Sequence, residues 1–164
     1  MLNSKSKILE SDLNQIESKI AHLKQPLAFT NGCFDILHRG HVSYLESARN
    51  LGGSLIVGVN SDASVKRQNK GEDRPINSID DRLAILAALE CVDAVIAFED
   101  DTPLKLIKAI NPQILVKGGD WPIEKIVGAD HVIKQGGEVH SIDFEFNRST
   151  TQLLKKIRQH SKND

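Results

Sequence analysis

The stretch NGCFDILHRGHVSYLESA (31–48) brings Cys33, Asp35, His38 and His41 together between an apolar run and a helical one. Three chemistries use such residues. A metal ion would be held by His38 and His41, whose i, i+3 spacing places two imidazoles on one helix face, with an oxygen from Asp35. Zinc needs four ligands in a structural site, or three plus water in a catalytic one, and no second His/Cys pair at ligand spacing occurs elsewhere in the chain. A thiol nucleophile would pair Cys33 with His38, and it requires a third group to orient the base and donors for an oxyanion. The stretch supplies neither clearly, and a cysteine directly after an apolar strand is ordinary packing material. A phosphate cradle explains more of the stretch. Gly32 and Gly40 let backbone approach a bulky ligand, a helix starting at Gly40 offers free N–H groups and a positive dipole end, and two imidazoles one turn apart donate to phosphate oxygens. Their work would be to stabilise charge on a phosphorus under attack. We expect no protein-held metal.

The elements around the stretch have to place it. Short apolar runs alternate with helical periods along the chain, the pattern of βαβ units feeding a parallel sheet. Strand-like LAFTN (27–31), SLIVGVN (54–60), DAVIAF (93–98) and QILVK (113–117) are separated by helices from about Gly40 to Leu51, from Asp80, and after Thr102 and Pro103, a capping start signal. SLIVGVN is apolar throughout, as a central strand buried on both faces requires. The tail reads as a helical piece near 123–129, weak strands at HVIKQ and EVHSI, and a last helix from about Ser149 to Gln159. The expected fold class is therefore α/β, a Rossmann-like open sheet of about five parallel strands with helices on both faces. Residues 61–78 are polar and basic with no strand or helix period, so they are expected to form one long loop of the kind that serves as a lid. Leu13, Ile16, Ile20 and Leu23 recur at helical spacing. We accordingly expect an N-terminal helical extension over 1–25, with residues 1–10 frayed, and a main domain over 26–164.

Composition limits the function classes. With 164 residues and 40% apolar content, the chain is long enough for one domain with a sizeable core. Lys and Arg total 21 against 22 Asp and Glu, a net charge of −1, which argues against a surface built wholly for nucleic acid or anionic lipid. No apolar run approaches eighteen residues and the start lacks a secretory h-region. Cys33 and Cys91 lie far apart. We expect a reduced, cytoplasmic protein with no membrane and no nucleic-acid partner.

At this point the residues resemble a known family. FTNGCFDILHRGH is similar to the first motif of the HxGH nucleotidyltransferases, in the cytidylyltransferase-like branch, where G-x-F-D-x-x-H-x-G-H ends the first strand. RSTTQLLKKI (148–157) resembles the branch's C-terminal S-T-T-x-x-[IL] motif, whose hydroxyls and helix start hold the triphosphate. Alone, STT before a helix would be an ordinary cap; its order and distance from HRGH raise it above that. VNSDASV, KGEDRPIN, DDRLAILAALECVDAV and ILVKGGDW are similar, piece by piece, to the branch's adenylyltransferases of heptose 1-phosphate. In many bacteria that domain follows a sugar kinase, for which this chain is too short, so the resemblance implies the stand-alone form.

The resemblance implies adenylyl transfer from ATP to a heptose 1-phosphate, giving ADP-heptose and pyrophosphate in lipopolysaccharide inner-core synthesis. ATP is then a substrate, and Mg²⁺ is held mainly through the phosphates. It assigns His38, His41 and Lys70 to catalysis. It places Gly32, Cys33, Phe34, Gly40, Arg82, Lys117, Gly119, Asp120, Ser149, Thr150 and Thr151 at the nucleotide and substrate. Cys33 itself is expected as filler and Asp35 as scaffold. Arg82 has a second reading, tying its helix to the preceding loop through Asp81. The glycines of KGGD have one as plain turns, with Trp121 as a core plug. Relatives acting on glycerol phosphate carry an arginine several residues before S-T-T, whereas here Arg148 directly precedes Ser149. Open alternatives are a cytidylyltransferase of glycerol 3-phosphate or a similar alcohol phosphate, and a nucleotide-binding module without turnover. The branch is often dimeric, so a homodimer is a further expectation.

Overall fold

The computed structural model describes residues 3–68, 71, 73–143, 145–146 and 150–160. Among them six parallel strands, β1 (Ile8–Leu9), β2 (Leu27–Gly32), β3 (Ser54–Asn60), β4 (Ala94–Phe98), β5 (Ile114–Gly118) and β6 (Glu138–Ile142), form one sheet in the order β1-β4-β3-β2-β5-β6. The helices are α1 (Ile16–Ile20), α2 (Arg39–Leu51), α3 (Asp62–Arg67), α4 (Ile79–Ala87), α5 (Leu104–Ile110), α6 (Ala129–Lys134) and α7 (Thr150–His160).

Every residue of β3 is buried, because helices cover both faces of the sheet and successive side chains point to opposite faces. Leu27 and Phe29 of β2 and Leu115 of β5 belong to a core shared with Ile16 and Ile20 of α1, Ile107 of α5 and Val132 of α6. Ala28 and Val116, one residue out of phase, join the opposite core with Tyr44 and Leu45 of α2 and Leu86 of α4. The connections step from β2 through β3 to β4, then cross back to β5 on the other side of β2. The order therefore reverses between β2 and β5, and the crevice outside their carboxyl ends is where such sheets bind ligands. None of the described helices is long and apolar enough to cross a membrane.

The open sheet of about five parallel strands is borne out, and three expectations about elements need correction. The count is six because Ile8 and Leu9 pair with Val95 and Ile96 of β4. The segment before them is not frayed: Lys7 Nζ donates to the Leu89 and Val92 carbonyls at 3.1 and 2.6 Å. Residues 61–78 are not all loop, since α3 starts at Asp62 under a cap in which Ser61 Oγ accepts from the Ser64 N–H at 3.1 Å. HVIK of HVIKQ lies in α6 rather than in a strand, with Gln135 as the C-cap, and the helix is turned so that Val132 is buried. At α5 the Thr102–Pro103 signal marks the start without supplying a side-chain cap.

Candidate active site

β2 ends at Gly32, and the passage to α2 turns at Phe34, whose φ is 47°. His38 takes the N-cap position of α2: its carbonyl accepts from the His41 N–H at 2.9 Å, and its Nδ1 lies 3.4 Å from the same N–H. This cap sets the two imidazoles face to face, with centroids 3.8 Å apart and planes 15° from parallel. The Phe34 ring meets His41 edge-on at 5.3 Å. Gly40 suits the stack, since a Cβ there would sit 3.2 Å from His38 Nδ1 and 3.3 Å from the Phe146 carbonyl, tight enough that a neighbour would have to give by a few tenths of an ångström. Burial lowers the His41 pKa to about 4, aided by repulsion from His38 and opposed by the Ile36 carbonyl. Burial lowers that of His38 as well, against its own carbonyl. Both rings are neutral at pH 7, as a stack of two imidazoles needs. Nδ1 of His41 is buried and has no hydrogen-bond partner among the described residues.

A second cluster supports this one. Asp35 is 2% exposed, and its carboxylate accepts from the N–H groups of Ile76 and Asn77, each at 2.9 Å, and from Arg74 Nε. Burial alone would push its carboxyl up, but the Asn77 and Ile76 N–H groups and the Arg74 guanidinium outweigh that and hold it below the usual value. Asp35 thus pins the segment 74–77 to the β2–α2 passage, as a scaffold does. Arg82 is 1% exposed. Its Nη1 donates to the carbonyls of Cys33 and Asn60, both at 2.7 Å, its Nη2 to Asp62 at 2.6 Å and its Nε to the Asn77 carbonyl at 3.2 Å. The acid that holds it is Asp62 and not Asp81, which instead accepts from Ser78 Oγ at 2.7 Å within the cap of α4. With four protein bonds and almost no exposure, Arg82 sits beneath the crevice and knits β2, β3 and α3 together.

Of the other expected residues, Thr150 Oγ1 donates to the Ile36 carbonyl at 3.3 Å. This contact brings the start of α7 beside the passage that carries the histidines, so two helix N-termini meet at one place. Thr151, exposed, lines a cleft of about 330 Å³ with Arg74, Lys155 and Arg158, and Arg158 pairs with Asp73 across it. Lys117 is the penultimate residue of β5 at the same crevice, Gly119 (φ 102°) directly follows the strand, and exposed Asp120 comes next. Trp121 is no core plug, being 48% exposed. Gly32 packs so closely on the Phe34 ring that a Cβ would lie 2.9 Å from it. Cys33 Sγ lies 3.3 Å from Gln68 Oε1. Lys70, Arg148 and Ser149 lie outside the described residues.

The sequence reading missed Arg74 as the counter-ion of Asp35, having counted it only among basic loop residues, and it missed Tyr44. The Tyr44 hydroxyl is bonded to Thr30 at 2.5 Å and donates to the Val116 carbonyl at 3.3 Å, tying α2 to β2 and β5 at the reversal point. Burial, only partly offset by Thr30, pushes that phenol up to about 12. Residues 29–156 match the Cytidylyltransferase-like family model.

The chain belongs to the cytidylyltransferase-like family. Among its relatives, D-beta-D-heptose 1-phosphate adenylyltransferase of Bordetella bronchiseptica is 55% identical over 137 residues, covering 84% of this chain and 85% of the relative. Bifunctional protein HldE of Haemophilus ducreyi is 55% identical over 151 residues, 92% of this chain; the chain spans 32% of that relative's length. Among solved structures, the lipopolysaccharide core biosynthesis protein from Thermoplasma volcanium has a TM-score of 0.58 at 30% identity, covering 74% of this chain and 98% of that one. Pantoate-beta-alanine ligase from Francisella tularensis, at 18% identity and a TM-score of 0.55, covers 87% of this chain and 68% of its own, and shares the fold.

Proposed function

We propose that the protein transfers the adenylyl group of ATP to D-glycero-β-D-manno-heptose 1-phosphate, giving ADP-heptose and pyrophosphate, in the cytoplasm and in the service of lipopolysaccharide inner-core synthesis. The transfer chemistry rests on one observation: two neutral, stacked histidines at the convergent starts of α2 and α7, one with a buried nitrogen lacking a partner among the described residues. The choice of ATP and a heptose rests on the identity with the Bordetella enzyme.

The acceptor phosphate is a monoester with a second pKa near 6, so it reaches the site already anionic and needs no general base. One of its oxygens forms a bond to the α-phosphorus of ATP. The bond from that phosphorus to the bridging oxygen of the β-phosphate breaks, and pyrophosphate leaves with the electron pair. Catalysis is then alignment and neutralisation of charge. His38 and His41 donate to oxygens around the α- and β-phosphates, and the nearby anion favours the proton that burial had disfavoured. The first turn of α7, with Thr150 and Thr151, faces the triphosphate, and Lys70 and Ser149 are assigned there from the sequence pattern. Among the described residues no group of three or more His, Cys, Asp or Glu side chains can hold a metal ion, and the Asp35 carboxylate is already engaged. Mg²⁺ enters with the substrate as MgATP, held mainly through the phosphates.

Pyrophosphate release tests the proposal directly, with ATP or CTP against both anomers of heptose 1-phosphate, hexose 1-phosphates and glycerol 3-phosphate. The expected result is turnover with ATP and the β-anomer well above every other pair. Preference for CTP and glycerol 3-phosphate would make the protein a cytidylyltransferase, and silence across the panel would leave a binding module.

A further inference from the structure

β6 ends at Ile142 and α7 starts at Thr150. Between them, Glu145 and Phe146 lie against α2. The Arg39 guanidinium sits over the Phe146 ring, its Cζ 3.8 Å from the centroid, and Ser43 Oγ donates to Glu145 at 2.7 Å. Arg39 and Ser43 are spaced i, i+4, so one stripe of α2 holds two consecutive residues of the connection. The Phe146 carbonyl passes close to Gly40 as well, 3.3 Å from where a Cβ would stand. Just beyond, Thr150 bonds the Ile36 carbonyl at 3.3 Å.

These contacts matter because little else fixes α7. None of its described residues belongs to either core, and among them only Thr150 is buried. The place of its first turn therefore depends on a few surface contacts rather than on apolar burial. Helix formation does not account for Arg39 either, since a cation in the first turn faces the positive end of the dipole. The ring contact does. We propose that Arg39 is a positioning residue for nucleotide binding: by holding Phe146 it keeps the start of α7 against the passage that carries His38 and His41, its guanidinium engaged by the ring rather than by a phosphate. The inference rests on the nucleotidyl-transfer reading above and adds what keeps the two helix starts together.

A ligand whose site is assembled only part of the time binds more weakly by that fraction, and an exposed guanidinium–ring contact shifts such an equilibrium about two- to fivefold. Arg39→Ala and Phe146→Leu are each expected to raise the KM for ATP by about that factor. Calorimetric binding of MgATP without acceptor should weaken equally, with kcat and the acceptor KM within about twofold of wild type. The double variant should be no worse than either single one, because both remove the same contact. Arg39→Lys, which keeps a cation for the ring, should recover most of the loss. Unchanged ATP affinity in both single variants would show that the contact positions nothing. Losses that multiply in the double variant would show Arg39 acting on the phosphates by itself, and a fall in kcat of about a hundredfold would make it catalytic; each of the three overturns the proposal. Wild type separates these failures from that of the parent reading. If it turns over CTP instead of ATP, the same variants measured with CTP decide the role of Arg39, and if it turns over nothing, the calorimetric comparison decides it alone.

Discussion

Asp35 and His41 lie on the same short passage from β2 into α2, and both are withdrawn from water, yet their surroundings differ. Asp35 is met by two backbone N–H groups and a buried guanidinium, and Arg82 beneath it has four protein partners. His41 is met by an aromatic edge, a second imidazole and a buried nitrogen that no described residue bonds. A buried polar atom without a partner costs about 1–3 kcal/mol, and native structures keep few of them. A satisfied cluster holds loops in place, whereas an unsatisfied one is held in readiness for something that arrives. The same stretch thus contains a scaffold and a site, and satisfaction of polar groups separates them better than residue type does.

Removing one partner from the scaffold should have the largest effect, and on folding. Asp35→Ala strands the buried Arg74 guanidinium and frees the Ile76 and Asn77 N–H groups. Breaking a buried pair in this way costs about 3–5 kcal/mol, to be read as a lower urea midpoint. If that midpoint barely moves while kcat collapses, Asp35 belongs to the chemistry and the division fails. The opposite signature is expected from the histidines. His38→Ala and His41→Ala should each lower kcat by about 10²–10³, the cost of losing one donor to a developing charge, with little loss of stability. Wild-type turnover in either variant would remove that histidine from the mechanism.

Acid separates the two clusters by window. Because the His41 pKa in the folded protein is about 4 against 6.5, the unfolded chain takes up a proton first as pH falls. Stability is therefore full above about 6.5 and declines toward pH 4, by up to about 3 kcal/mol; the lowered His38 acts with the same sign. Asp35, lowered from 3.8, contributes stability above that value and loses it only as pH falls through its folded pKa. His41→Asn should flatten the slope between pH 6.5 and 4 and leave the loss below 3.8 in place. An unchanged slope in thermal melts across that range would show that His41 is not held neutral.

How much of this was legible in the sequence follows from the range of each interaction. β3 and α2 declare themselves by period, since burial on both faces or on one stripe is written in consecutive residues. The histidine pair was legible because i, i+3 spacing survives even though His38 is the cap and not a helical residue. β1 was not, because two residues carry no period and its pairing is with β4, far along the chain. Arg74 and Asp35 find each other across 39 positions, and nothing near either residue names the other. α6 was misread because HVIKQ is β-branched in composition, while burial of Val132 against the α5 side fixed it as helix. Lys70 and Ser149 rest on pattern alone.

The smallest effect concerns Cys33, which by residue type belongs with the reactive group and by environment with the scaffold. Its main chain does the positioning, its carbonyl accepting from Arg82 at 2.7 Å. Its sulfur points to amide oxygens, Gln68 Oε1 at 3.3 Å and Asn60 Oδ1 at 3.8 Å, which accept an S–H and are not the general bases that activate a nucleophile. Cys33→Ser keeps a donor toward those oxygens and leaves the carbonyl untouched. It should therefore hold turnover within about threefold and stability within about 1 kcal/mol, the range of substitutions away from special features. A fall of the size expected for the histidines would place the thiol among the groups that act on substrate, and would move the boundary between scaffold and site to the wrong side of Cys33.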